Sequence, residues 1–149
     1  MDNEELGEIL NSICLLHLIF KKNGFKYENF DENTRLTFNH YLTLKILENG
    51  EMLAMSEIRN LIGINKKNMT YLTDKLVQNG SIKRVSDMND RRVINIVITD
   101  KGKEYLSEWQ KIKTKEIIKI FSSFDDEELK KFYYSIETIK NLFSKIRSK

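Results

Sequence analysis

Proline is absent from the 149 residues, and glycine occurs only six times. Without either, no flexible or proline-stiffened linker separates independent modules, and a single domain is expected. One cysteine is present; alone it excludes an internal disulfide and a thiolate cluster, and it points to a reducing cytoplasm. The two histidines, His17 and His40, lie far apart in the chain. With one cysteine they do not make a zinc or iron site, so no metal or cofactor is expected. No apolar run approaches the roughly 18 residues of a membrane span. The longest, Ile13 to Phe20, is interrupted by His17. The opening Met1-Asp2-Asn3-Glu4-Glu5 is acidic, unlike the cationic start of a secretory leader. A glycine-rich phosphate loop and a nucleophile beside a base are also missing, so the chain does not read as an enzyme.

What is present is unevenly spread charge. Lys and Arg number 25 against 22 Asp and Glu, a net +3 that argues little alone. Residues 1–53 carry 5 basic and 9 acidic side chains, whereas residues 54–102 carry 9 and 5. A basic middle segment beside an acidic N-terminal one is the distribution a localised nucleic-acid footprint needs.

Periodicity divides the chain into helices interrupted once by strands. Leu6, Ile9, Leu10, Ile13, Leu16 and Phe20 recur at helical spacing. Asn23 to Arg35 reads as a loop or broken helix. Thr37 is then placed to cap a helix, with Leu36 and Tyr41 at staple positions, and Phe38, Tyr41, Leu42, Ile46 and Leu47 are expected to face inward. Met55 to Ile62 forms a short helix with Ile58, Leu61 and Ile62 on its apolar side. After the break Gly63-Ile64-Asn65, Asn65 caps a second helix whose buried stripe is Met69, Leu72, Leu76 and Val77. Two short helices joined by a glycine-containing turn of three or four residues are a helix-turn-helix. The period then changes. Val85 and the run Val93 to Ile98 are β-branched or alternate, and Asp87-Met88-Asn89-Asp90 between them reads as a hairpin loop. A hairpin directly after the second helix is a wing. Thr99 caps a long helix of roughly 20 residues, about 30 Å. A last helix starts at Asp125, with Glu128 closing the capping box and Phe124 and Leu129 as staple.

The second helix leaves Lys66, Lys67, Asn68, Thr70, Tyr71, Asp74 and Lys75 to solvent. A major groove admits one such helix with its N-terminal residues nearest the bases. Asn68 matches adenine, Lys67 matches guanine, and Thr70 or Tyr71 suits a thymine methyl or a phosphate. Around the hairpin, Lys83, Arg84, Arg91 and Arg92 supply cations for a phosphate or a minor groove. Arg91 is equally placed to pair with Asp87 or Asp90 and brace the turn. Asp87 and Asp90 lie beside two arginines with no histidine or nucleophile nearby, so bracing fits them better than hydrolysis. The fold expected is mainly α with a small β wing: a winged helix-turn-helix over 36–102 and a helical dimerisation region from 1–35 and 103–149. The termini carry more apolar surface, including Trp109, Phe121, Phe132 and Phe143, than one small winged domain covers. Pairing across a twofold axis buries it, and a homodimer with its reading helices about 34–36 Å apart calls for a palindromic operator in double-stranded DNA.

On these residues the chain resembles MarR-type transcriptional regulators from about Leu10 to Phe143, most closely from Leu36 to Gly102. The match is carried by Asp87-Met88-Asn89-Asp90-Arg91-Arg92, the strand Val93 to Ile98, Thr99-Asp100-Lys101-Gly102, and Leu76, Gly80, Ile82 and Arg84. The resemblance implies an obligate dimer, a mostly helical triangular body, and repression of a nearby promoter relieved by a small aromatic or amphipathic effector. His17, His40 and Tyr41 are candidates to line an effector cavity. Three positions depart from the pattern. Asn89 stands where a wing-tip arginine is usual, Tyr71 where a basic residue is common, and Ser81 where a large apolar residue follows Gly80, loosening the link into the wing. Cys14 lies near the cysteine of the family's organic-peroxide sensors, with Tyr27 and Tyr41 as neighbours, but Phe38 replaces an expected tyrosine. A lone cysteine between Ile13 and Leu15 otherwise reads as a small buried hydrophobe. Two alternatives to a ligand-relieved repressor therefore stand: a thiol-based oxidant sensor using Cys14, and a winged-helix protein-interaction module without tight DNA binding.

Overall fold

The computed structural model describes residues 2–22 and 36–145; the loop expected over Asn23 to Arg35, with Tyr27, lies outside them. Helix α1 (Asn3–Lys22) starts on Asp2, whose carboxylate accepts the Glu4 and Glu5 amides at 2.9 Å. Acidic residues in its first turn and Lys21 and Lys22 in its last complement the helix dipole. It buries none of its side chains.

Helix α2 (Phe38–Ile46) is capped at Thr37 as its sequence predicts. The box is closed by an imidazole, since the Thr37 amide donates to His40 Nδ1 at 3.0 Å. Of the residues expected to face inward, Leu47 alone is fully buried. His40, Thr43, Leu44 and Leu47 are buried, whereas Phe38, Tyr41, Leu42 and Ile46 are only half covered. The helix touches both α3 (Met55–Ile62) and α4 (Lys66–Gln78), so two neighbours choose the buried sector, and apolar type alone does not reveal it.

Between α2 and α3 lies a two-residue strand, β1 (Leu53–Ala54), too short to leave a periodic signal. Helix α3 buries Ile58, leaves Leu61 exposed and half-covers Ile62. It ends at Gly63, whose φ of 76° is the left-handed cap that glycine adopts without steric cost. Asn65 then caps α4, accepting the Asn68 amide at 2.8 Å. Helix α4 buries Met69, Leu72, Thr73 and Leu76, while Val77, assigned to the stripe from sequence, is exposed beside Leu76.

Strands β2 (Ile82–Ser86) and β3 (Ile94–Ile98) form the antiparallel hairpin, and β1 adds to the far side of β3 in the order β1-β3-β2. Ile96 and Ile98 enter the core from the central strand; Ile94, at the hairpin end, stays exposed. Helix α5 (Asp100–Ile120) is capped by the Thr99 hydroxyl, which accepts the Gly102 amide at 3.1 Å. Leu106 joins the core with Leu36, Leu44, Ile58, Met69 and Leu76, and Tyr105 packs against it.

The chain divides into two compact units, one ending at Lys111 and the other starting at Ile112. In the second, Asp125 accepts the Glu127 and Glu128 amides at 2.8 Å to start α6 (Asp126–Phe143), and Glu128 returns a bond to the Asp125 amide at 2.9 Å. This is the expected box. Phe121 packs on Phe124 and Phe132 with ring centroids 5.2 and 4.9 Å apart.

Candidate nucleic-acid interface

The cap at Asn65 sets where α4 begins, and the burial of Met69, Leu72, Thr73 and Leu76 sets how it is rotated. Together they leave Lys66, Lys67, Asn68, Thr70 and Tyr71 exposed on its first two turns. Tyr71 is 64% exposed although its ring is largely apolar. The Thr70 hydroxyl donates to the Lys66 carbonyl at 3.0 Å. Two lysines stand at the positive end of the helix dipole, so this end attracts anions. Lys75, one turn from the C-terminus, is half-buried.

The wing is held to this helix by an ion pair that sequence does not announce. Arg84 on β2 donates to Asp74 on α4 at 2.6 Å. The only sequence signal is a pair of opposite charges on either side of the α4–β2 turn. Arg84 is one of the candidate phosphate contacts, and its guanidinium is already paired with this carboxylate. A second tie lies below. Ser81 is fully buried, accepts a bond from Asn79 Nδ2 at 3.1 Å, and gives its carbonyl to the Thr99 amide at 3.0 Å. The small side chain at this position therefore does not loosen the link into the wing, as its sequence suggested.

The hairpin loop is braced by its acids. Asp87 Oδ1 accepts the Asn89 and Asp90 amides at 2.9 and 3.0 Å, and Oδ2 accepts Asn95 Nδ2 at 3.2 Å. Those amides hold the Asp87 carboxyl below the usual carboxylate range. Asp90 is held low by Arg92, whose guanidinium meets it through two bonds of 3.0 Å. Arg92, not Arg91, is thus the bracing arginine. Arg91 is exposed. Asn89 is exposed at the tip, where Met88 also projects.

Of the cavity candidates, His40 and Tyr41 are neighbours on α2 and His17 is exposed on α1. Tyr41 lies against Trp109 with centroids 3.9 Å apart. His40 is 3% exposed. Burial, assisted by the Lys75 charge, lowers its pKa to about 4, so the ring is neutral near pH 7. Because Nδ1 accepts the Thr37 amide, the proton sits on Nε2, which has no hydrogen-bond partner among the described residues. Cys14, expected as a buried hydrophobe, is exposed on α1. Among the described residues no group of His, Cys, Asp and Glu is arranged to hold a metal ion, and no helix is long and apolar enough to cross a membrane.

Comparison with known proteins agrees with this geometry. The MarR family model matches residues 36–94. The chain is 31% identical to the uncharacterized HTH-type transcriptional regulator YpoP of Bacillus subtilis over 76% of each chain. It is 26% identical to the HTH-type transcriptional regulator SarZ of Staphylococcus aureus over 95% of this chain and 93% of SarZ. Wild-type MarR from E. coli shares the fold with a TM-score of 0.72 at 15% identity, covering 84% of this chain and 93% of that one. With a helix-turn-helix, a braced wing and these likenesses together, the chain belongs to the MarR family of winged helix-turn-helix, DNA-binding transcriptional regulators.

Proposed function

We propose that this regulator is a homodimeric repressor that reads a palindromic operator with α4 and releases it when a small effector binds. The observation that carries the reading is the division of α4 into a buried face and a cationic, exposed N-terminal half. Lys66, Lys67, Asn68, Thr70 and Tyr71 face the groove, and Arg84, Asn89, Arg91, Arg92 and Lys75 flank it. Two copies are needed because a single reading helix covers only one half-site. The pairing surface is supplied by α1, where Leu6, Leu10, Ile13 and Leu16 are exposed; in the other unit, α6 separately exposes Ile139, Leu142 and Phe143. Apolar surface of this extent gains by leaving water. For the effector, the buried Nε2–H of His40 supplies a hydrogen-bond donor without a partner among the described residues, which suits a small acceptor.

The test uses a duplex selected by the protein from a random-sequence pool. Affinity should fall steeply with salt as phosphate contacts release counterions. Replacing Lys66 and Lys67 by Glu should abolish binding while the dimer persists; unchanged affinity would overturn the placement of α4. A second reading, control by oxidation, is favoured by the exposure of Cys14. It predicts that peroxide releases DNA from the wild type and not from C14S, and the same response in both proteins rejects it.

A further inference from the structure

Met88 is an anomaly on this surface. It is the one apolar residue between Ser86 and Arg92, and it is 99% exposed. Nothing about the loop obliges this exposure through looseness. Asp87 fastens the Asn89 and Asp90 amides and the Asn95 amide group, the Asp87 amide donates to the Val93 carbonyl at 3.1 Å, and the Val93 amide donates to Asp90 at 2.9 Å. The loop is therefore built before any partner arrives, and it holds a methionine in water. Its charges also cancel. Asp87 and Asp90 balance Arg91 and Arg92 over residues 87–92, and Asp90 is paired with Arg92 at 3.0 Å. The tip thus offers an apolar thioether and the neutral Asn89, with no excess charge to pull on phosphate.

Its position follows from the hairpin. Strand β2 is five residues long, about 17 Å at about 3.4 Å per residue, and its middle residue, Arg84, is tied to Asp74 on α4. Successive major and minor grooves on one face of a duplex lie about 17 Å apart, half of the roughly 34 Å turn. With α4 in a major groove, a hairpin of this length spans the distance to the neighbouring minor groove. Methionine is among the apolar side chains that proteins insert there, between base steps.

We propose that Met88 is the apolar DNA contact of the wing: a wedge in the minor groove beside each half-site, which favours A·T pairs because guanine's N2 amino group obstructs the groove floor. The inference rests on the placement of α4 given above. The Met88 contribution differs from that of the flanking Arg84, Arg91 and Arg92, because it carries no counterion release.

The experiment compares wild type, M88A and M88L on a duplex selected by the wild type, at several salt concentrations. M88A should bind about tenfold more weakly, the scale of one apolar side chain losing its buried contact. The slope of log affinity against log salt should be unchanged, and M88L should recover most of the loss. Replacing adenine by 2,6-diaminopurine in the flanking A·T pairs adds an amino group to the minor groove alone. It should weaken the wild type severalfold and leave M88A indifferent. Equal binding by wild type and M88A, a shallower salt slope for M88A, or indifference of the wild type to diaminopurine would each overturn the proposal. The placement of α4 is judged separately by the Lys66 and Lys67 double variant on the same duplex: its undiminished binding would remove that placement and this inference together, whereas its loss beside an unaffected M88A removes the inference alone. Met88 has no buried surface to lose, so M88A is expected to fold as the wild type does.

Discussion

The imidazole of His40 is neutral because of where α2 puts it, under α4 and within reach of the Lys75 charge. A buried base whose folded pKa is about 4 lies below the ordinary histidine value of about 6.5. Between these limits the unfolded chain binds the proton and the folded chain does not. His40 therefore makes stability fall as pH drops from about 6.5 towards 4, by at most about 1.4 kcal/mol per pH unit. Above that window it contributes no slope. Urea unfolding at pH 7 and pH 5 should show this loss in the wild type, and His40→Gln should flatten it; an unchanged pH dependence would show that the ring is solvated. Sequence singled out His40 as a pocket residue but did not foresee its capping role, because histidine is not a usual partner in a capping box. At the same scale, sequence offers Arg91 as the bracing arginine, and the structure gives that role to Arg92. The choice between them is made by the path of the loop, which presents Asp90 to Arg92.

Between elements, the critical joint is where the end of α4, the root of β2 and the start of α5 meet. The Thr99 hydroxyl donates to the Gly80 carbonyl at 2.6 Å and accepts the Gly102 amide, while the Thr99 amide reaches the Ser81 carbonyl. One residue thereby fixes the wing to the long helix. Gly102 is glycine because of proximity: a Cβ there would overlap the Ser81 carbonyl oxygen and come within 2.8 Å of Ile98 Cγ1. Neither neighbour yields easily, since one is backbone and the other is in the core. Gly102→Ala should cost about 1–3 kcal/mol as an overpacked joint, read as a lowered urea midpoint with an unchanged m-value. A variant as stable as the wild type would mean that α5 can shift away from β2. Sequence marked both Thr99 and Gly102 as parts of one motif, and the tertiary structure supplies the reason for their spacing: one bonds across the joint while the other lets it close.

For the whole molecule, the decisive property is whether two chains associate. Helix α1 buries no side chain within the chain, and its exposed side chains include Leu10 and Ile13. The homodimer should give a scattering mass of twice 17.7 kDa at micromolar concentration. Replacing Leu10 and Ile13 together by Glu should yield monomers that keep their helical content but lose affinity for a palindromic duplex, since each then offers one reading helix. A wild-type monomer would reject the twofold arrangement, and dimers of the double variant would place the pairing surface elsewhere.

What this sequence determined by itself is what short-range bonding determines. Thr37, Asn65, Thr99 and Asp125 cap the helices foreseen for them, Gly63 ends α3, and the Asp/Asn-rich turn forms the hairpin, because each depends on residues a few positions away. The exposed half of α4 was legible for the same reason: its apolar residues recur at one helical period. Tertiary structure alone decided the buried sector of α2, the added strand β1, the burial of Ser81 and the pairing of Arg84 with Asp74. Each of these depends on a neighbour brought from elsewhere in the chain, and local pattern carries no record of which neighbour will arrive.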